Sequence, residues 1–489
     1  MAMPQRQTRI VATLGPASDR PGVLAGLIQA GVDVVRLNFS HGTPDEHRAR
    51  AAAVREAAAA AGREIGILAD LPGPKIRIER FREGRVQLQD GARFDLLAGD
   101  ATEAATGDEN GVGVSYPQLA DDLSAGDVLL LDDGMVQLQV ERIDGARIVT
   151  KVLGDAVLSD RKGLNKLGGG LSLGALTEHD RELIGVAAEI GVDFIAVSFC
   201  RSAADMEDAR NVARAAGCDA ALVAKIERAE AIANLAGIID ASDVVMVARG
   251  DLGVEIGDAE LPGLQKKIIR ETLARNKVVI TATQMLQSMV DSPLPTRAEV
   301  LDVANAVIDG TDAVMLSAES AAGGFPVQAV QAMARICIGA EKQFDHDTDF
   351  EAAERGLERV DHGIAMATMF LTEHLQVAAI VALTESGGTA RYLSRFRSPS
   401  PIYALSRHAS SRRRMSLMRG VFPLAFDSRG LPAEEAARGA IALLFGKGML
   451  PAGARVLFTS GDSMEQLGAT NTLRILTVAA IEPSPEIHG

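Results

Sequence analysis

Eight short β-branched runs alternate with longer alanine-rich amphipathic stretches, and one long interruption alternates polar and apolar residues instead. Together these predict an α/β fold: a (β/α)8 TIM barrel with an inserted antiparallel β domain and a C-terminal α/β domain. Strands are expected at Arg9–Thr13, Asp33–Leu37 and Gly66–Ala69, then at Phe194–Ser198, Leu222–Ile226, Val244–Ala248, Val278–Thr281 and Ala313–Leu316. Their nearly continuous apolar character suits parallel strands buried on both faces. Eight of them close a barrel in preference to an open doubly wound sheet. Helical patterns lie between them at Glu46–Ala61, Thr177–Ile190, Ala203–Ala216, Leu264–Asn276 and Arg297–Asp309.

The interruption, residues 72–170, contains RVQLQDGARFDLL and DVLLLDDGMVQLQVERIDGARIVTKVL, which alternate in polarity and turn at Asp-Gly pairs. That is the pattern of antiparallel β hairpins. Inserted into the third βα loop, such a domain stands on the face where barrel active sites lie, and is a lid candidate. After Phe344 an acidic, alanine-rich stretch leads to a new α/β pattern with strands near Ala379–Leu383, Pro401–Ala404 and Arg455–Phe458. The expected domains are residues 1–71 with 171–344, residues 72–170, and residues 345–489.

Length and composition bound the function. A chain of 489 residues exceeds one ordinary core. Asp plus Glu number 65 against 50 for Lys plus Arg, and a net charge of -15 repels nucleic acid and anionic membranes. An anionic substrate then needs a local cluster of cations. Cys200, Cys218 and Cys337 show neither disulfide nor zinc spacing, which suits a reducing compartment. The opening MAMPQRQTRIVATLGP lacks the apolar core of a signal peptide, and no segment reaches membrane-span length; the expected location is the cytoplasm.

Polar residues recur where each strand should end. The second gives Arg36, Asn38, Ser40 and His41; the third Asp70, Lys75 and Arg77; the fifth Lys225 and Glu227. The sixth gives Arg249, Asp251 and Glu255, the seventh Thr283 and Gln284, the eighth Ser317 and Glu319. Buried strands have no structural need for this in strand after strand, so the convergence marks a site. Glu227 and Asp251, on neighbouring strands, suit Mg²⁺ or Mn²⁺ with positions left for substrate oxygens. Lys225 lies two residues before Glu227, on the same side of the strand. Arg36 suits bidentate phosphate binding. Two cations and a divalent metal around one phosphate describe phosphoryl transfer. The backbone at Gly250-Asp251, heading a loop, is suited to a substrate carboxylate.

The strings VVRLNFSHG, GPKIR, AKIER, VARGDLGVE, TATQMLQSM, PTRAEVLDVANAVIDGTDAVMLSAES and GATNTLRI, taken together, resemble pyruvate kinase along the whole chain. The resemblance implies Mg²⁺-dependent transfer of a phosphoryl group from phosphoenolpyruvate to ADP, giving pyruvate and ATP in glycolysis. It implies that Lys225 contacts the phosphoryl group and stabilises the enolate, and that Glu227 and Asp251 hold Mg²⁺. By the same resemblance Gly250, Asp251 and Thr283 receive the substrate carboxylate, and Arg36 and Ser198 surround the phosphate. Proton delivery to the methylene carbon is implied through water near Thr283 and Ser317. Nucleotide contacts are implied at Arg36, Asn38, His41 and Lys162, and a homotetramer is the usual assembly.

The chain departs from the family in four places. The K⁺ region matches Asn38, Ser40, Asp70 and Leu71, but the following string ends in Lys75 where K⁺-users carry Glu; the expectation is that the Lys75 ammonium replaces K⁺. The position of a nucleotide-facing tyrosine holds Asp45 or Glu46, so no adenine contact is carried over. The segment KLGGGLSLGALTEHD is glycine-richer than usual, which is expected to loosen the lid's second hinge. In TESGGTARYLSRF, Thr384, Ser386, Gly387, Gly388 and Thr389 match the allosteric phosphate nest, but Glu385 stands where fructose-bisphosphate responders carry Lys. A sugar monophosphate or AMP is the expected effector. Two other readings compete: a phosphoenolpyruvate-using barrel of the lyase or mutase kind, and a catalytically silent metabolite-binding regulator. The inserted domain and MLSAES disfavour the first; the presence of Lys225, Glu227 and Asp251 disfavours the second.

Overall fold

The computed structural model describes residues 6–99, 106–343, 359–461 and 470–478. Eight parallel strands, Arg9–Leu14, Val34–Asn38, Gly66–Asp70, Phe194–Val197, Ala221–Ile226, Val244–Ala248, Val278–Ala282 and Ala313–Leu316, close a barrel in chain order. The first pairs with the eighth, Arg9 opposite Ala313, and completes the ring. Among the surrounding helices, Pro44–Ala60, Glu178–Ile190 and Arg297–Ile308 each open on a threonine cap. Thr43, Thr177 and Thr296 each accept an N–H three residues on, and Glu46, Asp180 and Glu299 reach back to the cap. These reciprocal bonds satisfy donors that a helix start leaves orphaned.

The bottom of the barrel carries a repeated device. Asp33, Asp193, Asp243 and Asp312 directly precede the second, fourth, sixth and eighth strands. Each accepts a backbone N–H near the start of the strand before its own: from Ile10, Ile67, Leu222 and Val279 respectively, at 2.9–3.0 Å. Alternate strands are thereby pinned in register, and the side-chain layers of the interior follow.

The insertion forms a six-stranded sheet in the order Leu164–Lys166, Val128–Leu131, Val136–Asp144, Arg147–Leu153, Arg93–Leu97, Gly111–Gly113. A separate pair joins Arg85–Leu88 to Ala156–Ser159. The Asp-Gly turns fall where the sequence puts them, and Gly145 takes φ +61 between the two longest strands. One pair corrects the expectation of a purely antiparallel domain: Arg93–Leu97 and Gly111–Gly113 run parallel. The core of Phe94, Leu96, Leu129, Leu138 and Ile148 is the insertion's own.

The C-terminal sheet has five strands, ordered Val421–Ala425, Ile402–Ser406, Ala379–Leu383, Arg455–Gly461, Thr470–Thr477, with only the last antiparallel. Both edge strands escape the sequence reading, because edges need no continuous apolar run and tolerate Pro423. One apolar core joins Val34, Leu68, Phe194 and Met246 of the barrel interior to Ile380, Leu393, Met415 and Leu417, so the C-terminal domain plugs the barrel floor. The acidic stretch from 344 to 358, and Gly468 and Ala469 of GATNTLRI, lie outside the described residues. Among the described residues no helix is long and apolar enough to cross a membrane.

Candidate active site at the barrel mouth

The strand-end residues converge. Lys225 points its ammonium at Glu227 Oε1 (2.8 Å), Asp70 Oδ1 (3.3 Å) and Ser198 Oγ (2.7 Å). Arg36 Nε donates to the other Asp70 oxygen at 2.6 Å, and its Nη1 to Thr13 Oγ1 at 3.0 Å. Ser198 donates in turn to the Leu71 carbonyl. Across the ends of the first five strands this makes one connected network, with Asp70 and Glu227 buried and the two cations reaching the surface only slightly.

Burial opposes every charge in the network, and the partners decide the outcome. Desolvation acts to lower the Lys225 pKa, but Asp70 and Glu227 outweigh it and hold the ammonium above its ordinary range. Desolvation raises Asp70, yet Lys225 and Arg36 keep it below the usual carboxylate value. Glu227 goes the other way: burial, with the neighbouring Asp251 charge, raises it despite Lys225. Two carboxylates close enough to repel are the donor set a hard divalent cation relieves. Among the described residues no three acidic, His or Cys side chains are grouped as a metal cage. An ion held by Glu227 and Asp251 would need its remaining ligands from outside this pair.

Asp251 pairs with a third cation of the mouth, Lys75 Nζ, at 3.0 Å. Lys75 thus belongs to the mouth, but its ion pair is with Asp251 and not with Asp70. Asn38 accepts from the Ser40 amide at 3.1 Å, and the exposed His41 gives its amide to the Asn38 carbonyl. Gly250 and Asp251 correct the expectation of a loop: they form the first turn of the helix Arg249–Ile256. The Gly250 N–H is held by Thr283 Oγ1 at 2.9 Å.

Thr283 and Gln284 have φ of 69° and 53°, and Phe199 has 56°. Three non-glycine residues in left-handed backbone at one rim are local strain that their surroundings must hold. The restraints are visible. Phe199 donates its N–H to Glu227 Oε2 at 2.8 Å. Arg249, anchored on Asp302 at 2.6 Å, grips the Ala282 and Thr283 carbonyls. Fully buried Glu319 accepts the amides of Leu286 and Ser317, fixing the Ser317 turn. Residue type flagged Arg249 and Glu319 at the strand ends without a role, and nothing in the sequence flagged Phe199.

Other expected site residues stand apart. Lys162 pairs with Asp132 at 2.8 Å inside the insertion, and Asp132 went unnoticed in the sequence. The glycines of the returning crossover, expected to loosen the lid's hinge, carry defined backbone bonds. Gly168, Gly169 and Gly170 all take positive φ, and the segment is tied by Gly168 N–H to the Glu255 carbonyl and by Gly170 N–H to Glu230. In the C-terminal domain, Thr384 Oγ1 accepts the Gly387 amide, and Gly387 and Gly388 open the helix Gly388–Ser394 beside Ser386. Thr389 is buried against Thr470 at 2.6 Å, and Glu385 is held by Arg407 and His408.

Comparison with known proteins agrees with this architecture throughout. Family models for "Pyruvate kinase, barrel domain" and "Pyruvate kinase, alpha/beta domain" match residues 5–330 and 362–476. Pyruvate kinase II of Salmonella typhimurium is 53% identical over 477 residues, covering 97% of this chain and 99% of that one. A Haemophilus influenzae pyruvate kinase is 50% identical, covering 96% and 97%. A crystal structure of a pyruvate kinase from Cryptosporidium parvum superposes with a TM-score of 0.90 at 32% identity, over 97% of this chain and 96% of the other. With both domain models and near-complete relatives in agreement, the chain belongs to the pyruvate kinase family.

Proposed function

We propose that the mouth network carries the family's reaction, phosphoenolpyruvate and ADP giving pyruvate and ATP, with the roles the resemblance assigns. The observation that supports this most is a single cluster in which Lys225, Arg36, Asp70, Glu227 and Ser198 share partners beside the Lys75–Asp251 pair. As the phosphoryl group leaves the enol oxygen for the ADP terminal phosphate, negative charge builds on that oxygen, and the Lys225 ammonium is positioned to hold it. Arg36 and Ser198 hold the phosphoryl oxygens. The helix start at Gly250 offers partial positive charge to the substrate carboxylate, with the Thr283 hydroxyl beside it. Thr283 and Ser317 then order the water that protonates the methylene carbon. Glu227 and Asp251 would hold Mg²⁺ (or Mn²⁺), which would supply charge neutralisation for the phosphoryl oxygens.

Four finer readings accompany this one. Lys75 makes K⁺ unnecessary. The Thr384–Thr389 segment binds a sugar monophosphate or AMP as effector, and Asn38, His41 and Lys162 face the nucleotide, Lys162 when the insertion closes. Exposed Leu301 and Ile308 on the helix Arg297–Ile308, with exposed Leu294 in the segment before it and exposed Ile475 on an edge strand, support a homotetramer built on those two faces; sedimentation of Leu301→Asp as a smaller species than the parent checks it.

The test of the central reading is Lys225→Met in a coupled assay with phosphoenolpyruvate and ADP. Turnover should fall by at least about a thousandfold, as removal of a transition-state charge does. Mn²⁺ binding, read by electron paramagnetic resonance, should persist, because both carboxylates remain. Turnover above a tenth of the parent's overturns the role.

A further inference from the structure

Glu255 lies at the last turn of the helix that begins with Arg249, Gly250 and Asp251, and its side chain is buried. Its carboxylate serves two other segments. Oε2 accepts the Ala229 amide at 2.9 Å, two residues beyond Glu227. Oε1 accepts Asn165 Nδ2 at 3.3 Å, on the strand Leu164–Lys166 by which the chain leaves the insertion. The Glu255 carbonyl, one of the four orphaned at a helix C-terminus, accepts the Gly168 amide at 2.9 Å.

The two crossovers that join the insertion to the barrel meet here. A small cavity beside Glu255 is lined by Pro74 and Lys75 of the outgoing crossover and by Leu164 and Asn165 of the return. Arg228 also lines it and ties Glu230 to the Leu171 carbonyl, and Glu230 accepts the Gly170 amide. Both crossovers of the insertion therefore pass one buried carboxylate that also ends the substrate helix.

We propose that Glu255 is a positioning residue that couples movement of the inserted domain to the placement of Gly250 and Asp251. A lid rotating about this hinge must carry Asn165 and Gly168 with it. Through Glu255 that motion is transmitted to the helix holding the substrate-facing residues, and through Ala229 to the turn after Glu227. The proposal rests on reading the mouth as the transfer site, so part of its test is free of activity.

Hydrogen exchange of the full-length, ligand-free protein supplies that part. In Asn165→Ala, which changes only the lid side, amides of 249–256 should exchange at least fivefold faster, and in Glu255→Ala those of 164–171 should do so. Coupling through one contact must be felt from both ends. Turnover should fall about tenfold in both variants, the scale on which slight misplacement of reacting groups acts. Glu255→Gln should stay within threefold of the parent in exchange and turnover, since the amide can accept from Ala229 and pair with Asn165 after rotation. Exchange changes below fivefold in Asn165→Ala, or a Gln variant as damaged as the Ala variant, overturn the coupling. Lost turnover with unchanged exchange overturns it too, while leaving the transfer site standing.

Discussion

Buried charges at the mouth differ in what sets them, and Glu255 shows how to tell. Burial is its largest influence, and with hydrogen bonds only partly compensating, its pKa is pushed up to about 7 from 4.5. The folded protein therefore binds a proton between those values that the unfolded chain has released. A raised carboxyl contributes stability only while protonated, so its contribution is lost as pH rises from 4.5 through about 7, and is flat above. The loss amounts to about 3 kcal/mol at most. In Glu255→Gln this slope should vanish: the difference in unfolding free energy between variant and parent, from urea titrations at pH 5 and pH 8, should change by about 2 kcal/mol in the variant's favour. A constant difference would mean that the carboxyl titrates normally. Lys225→Met acts on the same residue scale with opposite consequence. It strips the partner from buried Glu227 and Asp70 and should cost roughly 3–5 kcal/mol of stability, measured in the same titrations.

The crossover from 71 to 75 acts as one element. Gly73 sits at φ +65, and a Cβ there would meet Ser198 Cβ at 2.8 Å, so the loop is seated on the residue that also bonds the Leu71 carbonyl. That seating delivers Lys75 to Asp251. Reversing the charge with Lys75→Glu sets a carboxylate beside Asp251 and creates a need for an added cation. In tetramethylammonium buffer the parent should gain less than about tenfold on adding K⁺, and Lys75→Glu should gain about tenfold or more, a difference that a unit charge near a low-dielectric site readily produces. A parent that responds tenfold would place the needed cation elsewhere. Elements of this kind were legible where residue type changes abruptly, as at the end of each barrel strand, where an apolar run stops at Arg36, Asp70, Lys225 or Asp251. They were illegible where the determinant is a contact between distant segments. Glu255 and Asn165 are ninety positions apart, and Phe199, Thr283 and Gln284 give no glycine signal for their left-handed backbone. The edge strands Val421–Ala425 and Thr470–Thr477 lacked the apolar continuity that marked the central ones.

At the scale of the molecule, the joint between barrel floor and C-terminal domain combines an apolar core with ion pairs. Arg395 grips Asp312 with both terminal nitrogens; Arg413 meets Asp193 at 2.7 Å, Arg412 meets Glu64, and Arg414 meets Asp219 at 3.1 Å. Asp312 and Asp193 are two of the four aspartates that pin alternate strands, so the C-terminal domain closes on the barrel's own register device. Burial separates these pairs. Arg395 and Asp312 are shielded from water, whereas the Asp219 side chain is fully exposed. Removing one partner of a buried pair leaves an uncompensated charge and costs about 3–5 kcal/mol, while an exposed pair contributes about 0–1 kcal/mol. Arg395→Met should thus lower the denaturation midpoint steeply, and Arg414→Met should leave it nearly unchanged. Because one apolar core spans both domains, barrel and C-terminal domain should unfold together in the parent, with near-ultraviolet and far-ultraviolet signals coinciding. Arg395→Met, weakening the joint more than either body, should separate the two signals. Equal shifts for the two arginines, or a parent that already unfolds in two steps, would show that the domains rest against each other without sharing a fold.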